Sequence, residues 1–306
     1  MNNQFRCFFA VGSREYLWLL LVSGAKNILV SFAYQEPFKS IKLLKRHECD
    51  LLLDSGAFTA WSKGKAVDID EYIEFIKKTR SQYPHKIEYV NLDVIPGTIG
   101  KKPTSEDVEE AALKGYENLL YMQSKGLNPI HVFHQGEHFD WLKKMCDKCD
   151  YIGISPCNDY SDKVKTEWLQ QAFDYLKRIG KIGKVKTHAF GMTSTDLLKR
   201  FPFSSADSSS YAFTSAFGVV FTPGGKCVIS TTQEKHPDYI EYKPKEIKDK
   251  IIEHIESYGF SYKLAKENYK FRNIVNISHF LDIEEEINKN PVQFESPLNP
   301  LFNFDY

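Results

Sequence analysis

Asp54 closes a run of three leucines in Asp50-Leu-Leu-Leu-Asp54-Ser-Gly-Ala-Phe58. An ionisable group at the end of a buried run is costly to desolvate unless it is paired or used. Gly56 lets the backbone turn tightly or a ligand approach it, and Phe58 sets an aromatic face beside the acid. A strand-end Asp that merely caps the next helix explains the stretch equally well. A second acid, Asp207, stands in Ser-Ser-Ala-Asp-Ser-Ser-Ser at 204–210. Two such acids suit a retaining glycosyl transfer, in which one carboxylate attacks the anomeric carbon and a second group moves protons. Asp93 and Gln135 suit a different task. Carboxylate oxygens accept from the N–H groups of a guanine-like ring, and an amide both donates and accepts. Gly153 would expose a backbone amide to the ring's carbonyl oxygen, with Phe58 as a stacking face. Singly, Asp93 and Gln135 are explained as buried residues closing a layer of strands; together, at successive strand ends, they read as a site.

Such residues need a scaffold, and the chain alternates apolar β-type runs with amphipathic helical stretches. Strands are predicted at 7–11, 27–32, 50–54, 87–93, 129–134, 151–155, 185–190 and 203–207. Helices are predicted at 37–46, 69–82, 105–125, 140–149, 166–179 and 194–200. Asp68 is the expected N-cap of the second, and Glu106, Asp107, Glu109 and Glu110 favour the dipole of the third. Eight strands with helical crossovers predict an α/β protein, a (β/α)8 barrel of TIM type, although a doubly wound open sheet reads alike. In a barrel the carboxyl ends of the strands open on one face, and they would deliver Asp54, Asp93, Gln135, Gly153, Gly191 and Asp207 into one mouth. Thr222-Pro-Gly-Gly225 is a turn signal, after which helices are predicted at 244–258 and 262–276, ending near Ile283. The expected division is a catalytic barrel at 1–223 and a C-terminal helical extension at 224–306 that completes the barrel and contacts nucleic acid.

The 306 residues suffice for one large α/β domain with an appendage. Forty basic residues against forty acidic ones give zero net charge, which excludes a globally basic nucleic-acid binder but not a local patch. No apolar run reaches membrane-spanning length; 18–22 is only a short apolar piece, and no signal-peptide layout is present, so a soluble cytoplasmic protein is expected. Cys7, Cys49, Cys146, Cys149, Cys157 and Cys227 read as reduced thiols. Cys146 and Cys149 form one C-x-x-C without a second pair at zinc spacing, expected to be a solvated or half-buried pair at a helix end.

The motifs in order resemble the tRNA-guanine transglycosylase superfamily: Asp-Ser-Gly-Ala-Phe at 54–58, Asp93, His-Gln-Gly-Glu at 134–137, Tyr-Ile-Gly-Ile at 151–154, and His-Ala-Phe-Gly-Met-Thr-Ser-Thr-Asp-Leu-Leu at 188–198, followed by Asp207. The likeness runs from about Asp50 to Asp282. Residues 201–211 and the late stretch 258–276 are most similar to the phage and bacterial branch that exchanges guanine in DNA for a 7-deazaguanine. The resemblance implies a TIM barrel and a base exchange without ATP. Asp207 would be the nucleophile forming a covalent link to C1′, and Asp54 the general acid/base. Asp93, Gln135 and the Gly153 backbone would read the base, between Phe58 and Phe190 or Met192, with Gly191 at the same strand end. The implied partners are DNA, single-stranded or with its base flipped, and a preQ0-type base.

The tRNA enzymes of this superfamily carry zinc on a C-x-C-x-x-C and a later His. Here only Cys227, with His236, His254 and His279, follows the barrel, so neither metal nor other cofactor is expected and the DNA branch is favoured. A tRNA-guanine transglycosylase is the nearest alternative. A non-catalytic nucleic-acid-binding subunit of the superfamily is another, disfavoured by the presence of both acids. An unrelated barrel glycosidase would show a row of sugar-stacking tryptophans, whereas of Trp18, Trp61, Trp141 and Trp168 only Trp61 is near a strand end.

Overall fold

The computed structural model describes residues 4–34, 41–157, 160–192 and 194–295. Eight strands form one parallel sheet: β1 (Arg6–Ala10), β2 (Asn27–Ser31), β3 (Asp50–Asp54), β4 (Ile87–Tyr89), β5 (His131–His134), β6 (Tyr151–Ser155), β7 (Lys186–Ala189) and β8 (Ser205–Ser208). Their order is β4-β3-β2-β1-β8-β7-β6-β5. Just beyond β4, Val90 bridges Ile130, just before β5, in the parallel sense. The Asn91 N–H donates to the Ile130 carbonyl and the Ile130 N–H to that of Tyr89, both at 2.8 Å.

Side chains alternate across each strand, and the two faces bury different things. Cys7, Phe9, Ile28, Val30, Leu51 and Leu53 pack outward into the main core with the helices. Phe8, Leu29, Leu52, Val90, Ile130, Val132 and Tyr151 form a separate buried cluster drawn from the strand segments alone. The sheet thus packs on itself along its inner face, and the polar residues that end the strands lie at the carboxyl-end rim of that face.

The connecting helices are α1 (Arg14–Val22), α2 (Ile41–Arg46), α3 (Ala57–Ser62), α4 (Ile69–Gln82), α5 (Ser105–Ser124), α6 (Phe139–Lys148), α7 (Asp162–Arg178), α8 (Thr195–Arg200) and α9 (Ser210–Ala216). Asp68 caps α4 through the N–H groups of Asp70 and Glu71, and Thr104 and Asp107 form a capping box on α5. Of the helix predicted at 37–46, residues 37–40 lie outside the described residues. The apolar piece at 18–22 belongs to α1, which buries Leu17, Leu19, Leu20 and Leu21 and was not foreseen because its leucines are consecutive rather than periodic. α7 begins at Asp162, four residues ahead of expectation, where Ser161 caps it. Cys146 and Cys149 are buried rather than half-exposed, because α6 turns that end toward the core.

Beyond Gly218 the chain forms an antiparallel hairpin, β9 (Val219–Thr222) with β10 (Gly225–Val228), then α10 (Lys245–Glu256), α11 (Tyr262–Glu267) and α12 (Tyr269–Lys289). The single helix expected from 262 is two, because Asn268 is extended and caps α12. The turn at 222–225 is the tip of the hairpin. Val220, Cys227, Ile229, Ile240, Ile251 and Val275 form a small second core. α12 instead returns to the main core with Ile277, Phe280, Ile283 and Ile287. At the amino ends of the first strands, Glu284 accepts from the Cys7 N–H at 2.7 Å and Asn288 from the Phe5 N–H at 2.6 Å.

Candidate active site

Asp54 is the last residue of β3 and pairs in register with Ser31 of β2. Its Oδ2 accepts the Gly56 N–H at 3.0 Å. Gly56 has φ +74°, and a Cβ there would sit 2.7 Å from the Ala33 Cβ, so this turn excludes a side chain. Burial first, then the charge of Asp93 and more weakly that of Asp207, push the Asp54 carboxyl up to about 6, against the bonds from Gly56 and Ser31. Asp54 thus feels the charge of both other acids, that of Asp93 more strongly.

Asp93 lies four residues past β4. Its Oδ2 is 3.2 Å from His134 Nε2, and His134 Nδ1 is 2.9 Å from Glu137 Oε1. Burial pulls the His134 imidazole down, but the hydrogen bonds and charges of Asp93 and Glu137 outweigh it and push it up to about 10. His134 is therefore a cation at neutral pH, clamped between two acids, while Asp93 Oδ1 has no hydrogen-bond partner among the described residues.

On β8, Asp207 receives two donors on one oxygen: the Gly191 N–H at 2.9 Å and His188 Nε2 at 3.2 Å, both on Oδ1. Among the described residues Oδ2 has no hydrogen-bond partner. Gly191 takes φ +59° and is exposed, so its backbone serves Asp207 rather than facing a ligand unaided.

The remaining expected residues divide. Phe58, on α3, is 66% exposed with its ring 5.9 Å from that of Trp61, an open apolar face beside Asp54. The Trp61 indole N–H is tied to the Gly97 carbonyl at 3.2 Å. Phe190 is half-buried on the inner face, edge-on to His188 at 4.4 Å. Gln135 Oε1 accepts the Cys157 N–H at 3.0 Å, which takes up one of its two acceptor positions and fixes which way the amide faces. Gly153 sits inside β6 with ladder partners on both sides, Val132 and His188. A Cβ there would fall 2.2 Å from the Phe190 ring, so the residue makes room for Phe190 instead of presenting an amide at the rim. Met192 is buried in the main core between strands and helices and offers no face to the mouth.

In the sequence His134 and His188 stood out only as the first residues of two motifs, and Ser205 and Tyr151 carried no role. Strand parity was the available signal: His188 and Phe190, Ser205 and Asp207, Tyr151 and Gly153 are each two apart and so share a face.

Neither a protein-family model nor a curated protein sequence matches this chain. Among the described residues no group of three or more His, Cys, Asp or Glu side chains is placed to hold a metal ion. No helix among them is long and apolar enough to cross a membrane. A cavity of about 200 Å³ lies at the opposite, amino ends of the strands, lined by Arg80, Glu88, Tyr89, Asp150, Tyr151 and Lys186, away from the acids described above.

Chemically, the rim offers two carboxylate oxygens without a hydrogen-bond partner among the described residues, one on Asp207 and one on the cation-braced Asp93, together with the raised carboxyl of Asp54 and an exposed ring.

Proposed function

We propose that the protein exchanges guanine in DNA for a 7-deazaguanine base of the preQ0 type, through a covalent aspartyl-nucleoside intermediate. The observation that carries this reading is the contrast between two acids at one rim: Asp207, with Oδ1 bonded and Oδ2 free, and Asp54, with its carboxyl near 6. A carboxylate with one oxygen held and the other open, beside a carboxyl raised toward neutrality, is what a nucleophile and an acid/base require. The reading takes the eight strands as a closed (β/α)8 barrel, which the Val90–Ile130 bridge and the strand-only inner cluster support. The described residues beyond 224, up to 295, are then an extension that completes it.

In the first half-reaction Asp207 Oδ2 attacks C1′ as the C1′–N9 bond breaks, and the Asp54 carboxylic acid delivers its proton to the departing guanine. In the second, the Asp54 carboxylate removes the N9 proton of the incoming base, N9 attacks C1′, and the bond to Asp207 breaks. One glycosidic bond replaces another, so no ATP is needed. Asp93 Oδ1 accepts from the ring N–H groups, with the His134 cation holding the carboxylate in place. Gln135 donates, Phe58 closes over one face of the base and Phe190 lies beneath. A base in a duplex cannot reach this rim without leaving the stack. The choice of DNA over tRNA rests on the likeness at 201–211 and on the solitary Cys227.

The test is transfer of radiolabelled guanine into single-stranded DNA, duplex DNA and tRNA in parallel. Label is expected in DNA and should be abolished by Asp207→Asn, with a base-free nucleoside adduct trapped on the peptide containing Asp207 in the wild type. Label in tRNA alone would move the assignment to the tRNA enzymes. Label in none of the three, from folded protein, would overturn base exchange.

A further inference from the structure

We infer that Tyr151, Ser205 and His188 form a directional chain of hydrogen bonds through the interior of the sheet, with the Arg6 cation at its far end, which points His188 Nε2–H at Asp207 Oδ1 and leaves Oδ2 as its reactive oxygen. The naming of Oδ2 as reactive rests on the reading of Asp207 as nucleophile; the direction of the chain does not.

The contacts run from the amino ends of the strands to the carboxyl-end rim. Arg6, at the start of β1, pairs with Glu88 at 2.6 Å and more loosely with Asp50 at 3.5 Å. Its Nη1 is buried without a hydrogen bond among the described residues, and the cation acts on the Tyr151 phenol through its charge. The Tyr151 hydroxyl is hydrogen-bonded to Ser205 Oγ. Ser205 Oγ is hydrogen-bonded in turn to His188 Nδ1, and His188 Nε2 to Asp207 Oδ1 at 3.2 Å. Ser205 and His188 have no exposed surface, and Tyr151 is buried.

The direction follows from counting donors. A cation repels a hydroxyl proton and attracts the oxygen's lone pairs, so the charge of Arg6 favours the single phenol proton turned toward Ser205. Ser205 has accepted that proton and has one of its own to place. His188 Nδ1 is its remaining partner, so the hydroxyl donates there and Nδ1 must be the bare nitrogen. The ring proton is then on Nε2, where the Asp207 carboxylate, an acceptor only, requires it. A cation at one end and a group able only to accept at the other favour the same polarity. A His188 with both nitrogens protonated would reverse both hydroxyls, Ser205 donating to Tyr151, and would turn the buried phenol proton toward the Arg6 cation, which offers no acceptor. Gly191 N–H adds a second donor to the same oxygen. With two hydrogen bonds on Oδ1 the carboxylate is held in one orientation, and Oδ2 is left without a hydrogen-bond partner among the described residues. Tyr151, Ser205 and His188 are thus positioning residues.

The test that needs no substrate is nitrogen-15 NMR of the folded wild-type protein labelled at histidine, with His188 assigned by loss of its signals in His188→Gln. The expected result at about pH 7.5 is a ring protonated at Nε2 and bare at Nδ1. A ring protonated at Nδ1, or at both nitrogens, would overturn the chain. The kinetic arm uses His188→Leu, expected to lower kcat on the order of 10²-fold with little change in KM, as misplacement of a reacting group does. His188→Gln, whose side-chain amide can still donate to Asp207, should recover about a tenth or more of wild-type kcat. Wild-type kcat in a folded His188→Leu would also overturn the proposal. Absence of base exchange together with an Nε2–H spectrum counts against the reaction and leaves the chain standing. Exchange activity with the opposite tautomer counts against the chain alone.

Discussion

At the scale of single residues, the site's electrostatics make opposite demands on two groups. Asp54 is held near 6 against an ordinary value of 3.8, so the folded protein binds this proton more tightly than the unfolded chain does. Its favourable contribution is complete below the unfolded value and lost as pH rises through about 6, and an ionised Asp54 then costs roughly 2–3 kcal/mol. Asp54→Asn should therefore cripple exchange, by about 10² or more, while raising the melting temperature at pH 8 and not at pH 4. Thermal unfolding at the two pH values checks the sign. His134 runs the other way in consequence. Its ring, raised from 6.5 to about 10, contributes stability that is complete below the lower value and lost as pH rises through the upper. His134→Gln should destabilise by roughly 2–4 kcal/mol at pH 7, by leaving two acids facing each other without their cation, and by clearly less near pH 10. Urea unfolding at both pH values measures this.

At the scale of elements, β6 and β7 are coupled through a missing side chain. The Phe190 ring occupies the space where a Cβ of residue 153 would be. Gly153→Ala should force that ring off its rotamer at about 1–3 kcal/mol and lower exchange with it. In a Phe190→Leu background the same change should cost less, and the double-mutant cycle reads the coupling directly. This relation was invisible in the sequence, where Gly153 read as an exposed amide, because a chain letter does not say which neighbour fills a glycine's space. The strands themselves were legible, since runs such as Leu51-Leu52-Leu53 are buried on both faces and end at polar residues. α3 and α9 were not, being too short to show a period, and α1 hid in consecutive leucines. Of the site, the acids stood out because charges at strand ends are rare. Their histidine partners did not, because an imidazole reads alike whether it braces a carboxylate or fills a gap.

At the scale of the whole molecule, the last described helix is part of the first layer. α12 contributes Ile277, Phe280, Ile283 and Ile287 to the main core, and Glu284 binds both Cys7 and Asn27. Burial raises the Glu284 carboxyl, which the Cys7 N–H, Asn27 and Arg6 partly offset. A chain truncated after Asn268 should lose cooperative thermal unfolding altogether, not merely the function of an appendage; circular dichroism through a melt distinguishes the two.

That arrangement also sets a clock on biosynthesis. The Phe5 amide meets its partner 283 residues further along. At the roughly 5–20 residues per second at which ribosomes work, β1 emerges and waits on the order of tens of seconds for the helix that seals it. Throughout that interval its apolar flank, Phe5, Cys7 and Phe9, is open to whatever holds nascent polypeptides, so the yield of native protein depends on what shelters the leading end until the trailing end arrives.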